Sequence, residues 1–243
     1  MTKENFTSIN VVIDASGSMA HISHDTIGGF NSFLEEQKKE PGEAVVSLCT
    51  FSTDYRLVHN FVKLGSVPSL DARSYTPRGG TALLDAVGTT IDTVGAKLAA
   101  MPEEERPSKV IFLVITDGFE NASRRYTQPQ IKQMVEHQKE KYNWEFVFLG
   151  ANVDAFAEGT SLGIAATNSV GYTSSAAGTR GLYSNLSDNM KSYRASNTSR
   201  DDNFFKSKLI DPANQTQQGI GGVTPVVPGT TTTTTTTTVT TKK

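Results

Sequence analysis

Cysteine is almost missing from this chain. Cys49 is the single one in 243 residues, so no disulfide can form within it. That usage fits a reducing compartment. The setting Val45-Val46-Ser47-Leu48-Cys49 reads as a small buried hydrophobe, with nothing nearby to activate a thiol. A basic surplus is missing too. Lys and Arg total 23 against 25 Asp and Glu, a net charge of -2, which lacks the usual footprint of a nucleic-acid binder. No apolar run approaches the roughly 20 residues that span a bilayer. The opening MTKENFTSIN carries no apolar signal segment, so a cytoplasmic location is the expectation. No G-x-x-x-x-G-K-[ST] loop occurs, which leaves an ATPase reading without support.

What is present is ordinary material for a folded body. Apolar residues make up 37% and charged residues 20%, enough for a sizeable core within one domain. The composition turns near residue 195 to Asn, Ser, Thr, Gln and Gly, and ends in an unbroken threonine run from Thr230 to Thr238. Such a run cannot bury a face to offset its ordering entropy. The expected organisation is a domain over residues 1–195 and a flexible Gly/Thr-rich tail over 196–243, read as a linker.

Within the body, strand and helix patterns alternate. Residues 8–14 form a nearly continuous apolar strand, buried on both faces. A helix follows from about Asp25, with Ile27, Phe30, Phe33 and Leu34 on one stripe, although Gly28 and Gly29 weaken it. Residues 44–52 and 55–62 read as a hairpin about Ser52-Thr53-Asp54. Leu84, Val87, Ile91, Val94 and Leu98 mark an amphipathic helix, and Val110 to Ile115 another central strand. Thr127 caps a further helix with Pro129 in its first turn. Phe146 to Leu149 is a strand, Val153 to Leu162 a short helix, and 164–170 a last short strand. Leu182, Leu186 and Met190 stripe a closing helix. This alternation predicts an α/β fold: a doubly wound, mostly parallel sheet with one antiparallel edge strand and helices on both faces.

Ligands of such sheets gather beyond the carboxyl ends of the strands, at a topological switch point. Polar residues at those ends are therefore the candidates. Asp14, Ser16 and Ser18 follow the first strand, Asp117 follows Ile115-Thr116, and Thr81 closes the loop Thr76-Pro77-Arg78-Gly79-Gly80. Neighbouring first and fourth strands would let the three loops converge. Carboxylate and hydroxyl oxygens suit Mg²⁺, Mn²⁺ or Ca²⁺, and no thiolate or imidazole in the set favours zinc. Gly17, Gly79 and Gly80 allow tight backbone turns there. The bland alternative is that the two aspartates cap helices while the serines satisfy turn backbone groups.

Asp14-Ala15-Ser16-Gly17-Ser18, with Thr81 and Thr116-Asp117-Gly118, resembles the metal-ion-dependent adhesion site of the von Willebrand factor A family. Pro77 to Ala86 also resembles stand-alone bacterial and phage members, and the likeness covers roughly residues 6–194. The resemblance implies a metal at the top of the sheet, held directly by Ser16, Ser18 and Thr81 when a ligand is present. Asp14 and Asp117 would act mainly through water, either one binding directly in another conformational state. It further implies a protein partner that completes the coordination with an Asp or Glu carboxylate. A shift of the last helix, as the metal changes ligands, is implied as well.

Other features are weaker. His21 and His24 form H-x-x-H but lack a second His or Cys pair, and read as exposed loop residues. Glu103 to Arg106 reads as a solvated connection, and Arg124 and Arg125 either as a solvated loop or as a rim that steers acidic partners. Two rival functions remain. One is a magnesium-dependent phosphoryl-transfer hydrolase of the haloacid dehalogenase type, which Asp14 imitates but which wants a second aspartate where Ser16 stands. The other is an assembly protein tethered by its threonine tail.

Overall fold

The strands form because β-branched and aromatic residues run continuously where both faces are covered. A computed structural model describes residues 1–151, 154–199 and 204. Six strands build one sheet: β1 (Lys3–Asp14), β2 (Glu43–Phe51), β3 (Tyr55–Lys63), β4 (Pro107–Thr116), β5 (Glu145–Ala151) and β6 (Ser169–Tyr172). Their order is β3-β2-β1-β4-β5-β6. β2 and β3 pair antiparallel and every other neighbouring pair is parallel. Five helices cover it: α1 (Ser23–Lys38), α2 (Leu83–Ala99), α3 (Gln128–Tyr142), α4 (Ala155–Ser161) and α5 (Ala176–Ala195). None of the described helices is long and apolar enough to cross a membrane.

Side-chain parity divides the core into two layers. Ile9, Val11 and Ile13 of β1, Ile111, Leu113 and Ile115 of β4, and Val147 and Leu149 of β5 face α1 and α5. Val12, Val110, Phe112, Val114, Phe146 and Phe148 face the other way, onto α2 and α3. The sheet is thus doubly wound, as expected. From β1 the chain grows one way to β2 and β3, then returns past β1 to β4, so the crevice lies between β1 and β4.

Local rules hold at several ends. Thr127 and Gln130 form a reciprocal capping box at the start of α3, with Pro129 in its first turn. Gly29 has a reason that helix propensity hides. A Cβ there would come 2.2 Å from Tyr183 Cδ2, so only glycine lets α5 approach α1 this closely.

Two boundaries are corrected. The first strand begins at Lys3, not at residue 8. The last strand occupies 169–172, not 164–170. Gly163 has φ 83 and redirects the chain, Ile164 sinks into the α2–α3 layer, and a short 3₁₀ turn over 166–168 precedes the strand. The expected tail lies outside the described residues apart from 196–199 and Phe204. Phe204 is buried against the α5 side of the core, its ring centroid 5.9 Å from that of Tyr193.

Candidate metal centre

Four of the five predicted residues stand at or just after the ends of β1 and β4, and the fifth, Thr81, closes the loop before α2. Asp14 is the last residue of β1, and Ser16 precedes a 3₁₀ turn over Gly17–Ile22 that carries Ser18. Thr81 stands two residues before α2, and Asp117 follows β4 directly. The pairing of Ile13 with Ile115 places Asp14 beside Thr116.

The carboxylate of Asp14 is fully buried and fixed from two sides. Oδ1 accepts from Ser16 N at 2.6 Å and Oδ2 from Thr116 Oγ1 at 2.6 Å. Tyr75 Oη donates to the Asp14 carbonyl at 2.7 Å, which fixes the backbone as well. Ser18 Oγ donates to Asp117 Oδ1 at 2.5 Å and lies 3.0 Å from Ser16 Oγ. A methyl group placed on Gly118 would sit 3.4 Å from Thr81 Oγ1 and 3.7 Å from Ser18 Oγ. Both hydroxyls therefore face the same small space above Gly118. All five predicted residues come together, and Ser18 is the exposed member through which solvent reaches the others.

Backbone hydrogen bonds stitch the three loops. Gly17 N donates to Gly79 O at 3.1 Å and Arg78 N to Ala15 O at 2.8 Å. Gly79 takes φ 67, and a Cβ there would strike Thr53 Oγ1 at 2.8 Å. Thr81 N donates to Asn121 Oδ1, while Thr81 O accepts from Asn121 N and Ala122 N. Glu120 completes the lock. Its carboxylate accepts from Leu84 N at the start of α2 and from Ala122 N and Ser123 N in its own loop. Asp85 answers by accepting from the backbone N–H groups of Arg124, Arg125 and Tyr126. Thus Arg124 and Arg125 are bound through their backbones to α2, and the Arg125 guanidinium lies over the Tyr126 ring.

The electrostatics are unbalanced. Asp14 and Asp117 are both buried, and no ion pair among the described residues includes either one. Burial pushes the Asp14 carboxyl above its ordinary value; the Thr116 and Ser16 hydrogen bonds oppose this, and the Asp117 charge adds to it. A cation between them would reverse that preference. The described residues offer no group of three or more His, Cys, Asp and Glu for a metal, so a cation here would depend on the hydroxyls. Two carboxylates and three hydroxyls form an all-oxygen set that suits a hard divalent ion.

Sequence reasoning quoted Thr116 within the motif but missed its support of Asp14, and missed Tyr75, Asn121, Glu120 and the bridge made by His21. His21 is exposed, as expected, yet its Nδ1 lies 2.6 Å from Ser18 O and its Nε2 3.1 Å from Ser174 O and Oγ. Ser174 Oγ in turn lies 3.5 Å from Asp117 Oδ2. The contacts that tie these residues to other elements span 36 to 153 positions, so no local spacing betrays them.

No protein-family model matches the chain, and no curated protein sequence matches it. Solved structures do. The pilus adhesin SpaC from Lactobacillus rhamnosus GG aligns with TM-score 0.56 at 16% identity, over 78% of this chain and 31% of that one. Proximal thread matrix protein 1 from the mussel byssus aligns with TM-score 0.53 at 16% identity, over 76% of this chain and 46% of that one. This chain therefore spans less than half the length of either protein. The strand order, the antiparallel β3 edge and these likenesses give the chain the fold of the von Willebrand factor A domains.

Proposed function

We propose that the chain is a divalent-metal-dependent protein-interaction module. Ser16, Ser18 and Thr81 would hold the ion directly, with Asp14 and Asp117 acting through water. The observation that carries this reading is the convergence of three hydroxyls and two buried, unpaired carboxylates at the β1–β4 crevice. When bound, Mg²⁺, Mn²⁺ or Ca²⁺ would supply an electrophilic position for an Asp or Glu carboxylate of a partner protein. The chain's own residues are suited to leave that position open. Ser18 gives its one hydroxyl proton to Asp117, so it accepts from Ser16 Oγ and keeps one lone pair for the ion. Asp14 is held back by Ser16 N and Thr116, which favours action at one remove. One of the proteins that share the fold is a pilus adhesin, and this supports the same class.

The phosphoryl-transfer alternative fares worse on specific residues. Ser16 stands where that chemistry wants an acid, and its hydroxyl is engaged with Ser18. The lysine buried in β4, Lys109, sits at the opposite end of the strand against the C-terminus of α5. Calorimetric titration with Mg²⁺ or Mn²⁺ should show one site that Asp14→Ala abolishes. Unchanged binding in that variant would remove the assignment. A partner captured from lysate should be released by a chelator. Aryl phosphate hydrolysis lost in Asp14→Asn would favour the hydrolase instead.

A further inference from the structure

The two sides of the candidate centre differ in character. Toward β2 and β3, a small open groove begins at Ala15, next to the metal-directed serine. Arg56 and Arg78 line it together with Asp54 and the hydroxyls of Ser52, Ser74 and Thr76. Arg56 is moored by Nη1 to the carbonyls of Arg73 and Ser74. Arg78 is 66% exposed and reaches Asp54 only at 3.8 Å, so the groove holds more positive charge than it neutralises. Past the ends of β4 and β5, two aromatic rings are exposed. Phe119, two residues beyond Asp117, is 60% exposed, and Phe156, in the first turn of α4, is 38% exposed. The loop that carries Phe119 is fastened to α2 through Glu120 and Asn121. Its exposed ring is thus held outward by a well-anchored loop, at the cost of leaving apolar surface in water.

We infer that the metal face reads a partner segment lying across the strands, with a second acidic side chain toward β3 and an apolar side chain toward β5. This rests on the metal-dependent binding proposed above and adds the identity of the flanking groups. Strands lie about 4.8 Å apart, which puts the β2–β3 end of the sheet about 10 Å from the β1–β4 crevice, and the β4–β5 end, whose following segments carry Phe119 and Phe156, about 5 Å from it on the other side. An extended segment advances about 3.3 Å per residue. The second acid therefore falls about three residues from the metal-directed carboxylate, and the apolar residue one or two residues away in the opposite direction.

The test uses the full chain loaded with Mg²⁺ and synthetic peptides in a glycine–serine background, each made in both chain directions. One peptide holds a single glutamate, a second adds a glutamate three positions away, and a third adds a leucine beside the first glutamate on the opposite side. In NMR titrations the second glutamate should tighten binding about threefold, the worth of an exposed ion pair. The leucine should tighten it about tenfold, the worth of a partly buried side chain. Arg78→Ala should cancel only the gain from the second glutamate, and Phe119→Ser only the gain from leucine. Peptides that bind alike, or not at all, to protein that calorimetry shows to hold Mg²⁺ overturn this inference and leave the metal assignment standing. Failure of Mg²⁺ to bind in the calorimeter removes the metal assignment, and this inference with it.

Discussion

Gly118 is the residue whose absent side chain matters most to the candidate centre. A methyl there would meet Thr81 Oγ1 and Ser18 Oγ at ordinary van der Waals distances, so Gly118→Ala should fold normally. It would nevertheless occupy the space both hydroxyls face, and Mn²⁺ affinity should fall about tenfold, near 1.4 kcal/mol. Calorimetry on a variant with an unchanged circular dichroism spectrum checks this. Cys49 gives a second expectation. Its thiol is fully buried, and burial pushes its pKa up to about 12. A maleimide should leave it unlabelled in the native protein and label it once in urea. The five site residues were legible because each stands in a short pattern at the end of an apolar run. Thr116 beneath Asp14 and Asn121 beneath Thr81 were not, since their roles arise from partners 102 and 40 positions away.

At the scale of elements, α5 is pinned at its far end by buried cations. Lys109 Nζ donates to the carbonyls of Tyr193, Arg194 and Ser196, while Arg194 reaches Gln37 in the last turn of α1 and Pro41 and Gly42 beyond its end. Lys109→Met would take this donor from the carbonyls of Arg194 and Ser196, while Tyr193 O keeps Ser196 N and Oγ, and should cost about 2 kcal/mol in urea unfolding. The edge strand β3 carries a pH response. His59 is half buried, its Nε2 lacks a partner, and desolvation holds its pKa below the ordinary 6.5. The native state therefore binds fewer protons than the unfolded chain once pH drops under that value. His59 contributes its full stability above pH 6.5, and loses it as pH falls toward the native value. The urea midpoint should be lower at pH 5.5 than at pH 7.5, with a smaller difference in His59→Gln; equal differences would refute the assignment to His59. Helices with one clear stripe, α2 above all, were legible from periodicity. The start of β6 was not, because Ile164 is as apolar as a strand residue yet lies in the connection between α4 and the 3₁₀ turn.

For the molecule as a whole, the order of strands and helices could be read from alternation alone, because a parallel sheet requires crossovers. The place where the packed body ends could not, since one aromatic within polar sequence gives no periodic signal. Phe204 lies in the core, and its backbone N–H donates to Asn168 Oδ1 at 2.8 Å. Phe204→Ala should destabilise the protein by about 3 kcal/mol in urea. A chain cut after 195 should lose at least as much, and equal stability of the shortened chain would show that Phe204 adds nothing. The lock between Glu120, Asp85 and the start of α2 has a practical corollary. Anyone moving this surface onto a different scaffold would have to transfer 81–85 and 117–126 as one block, since either piece alone would arrive without the partner that shapes it.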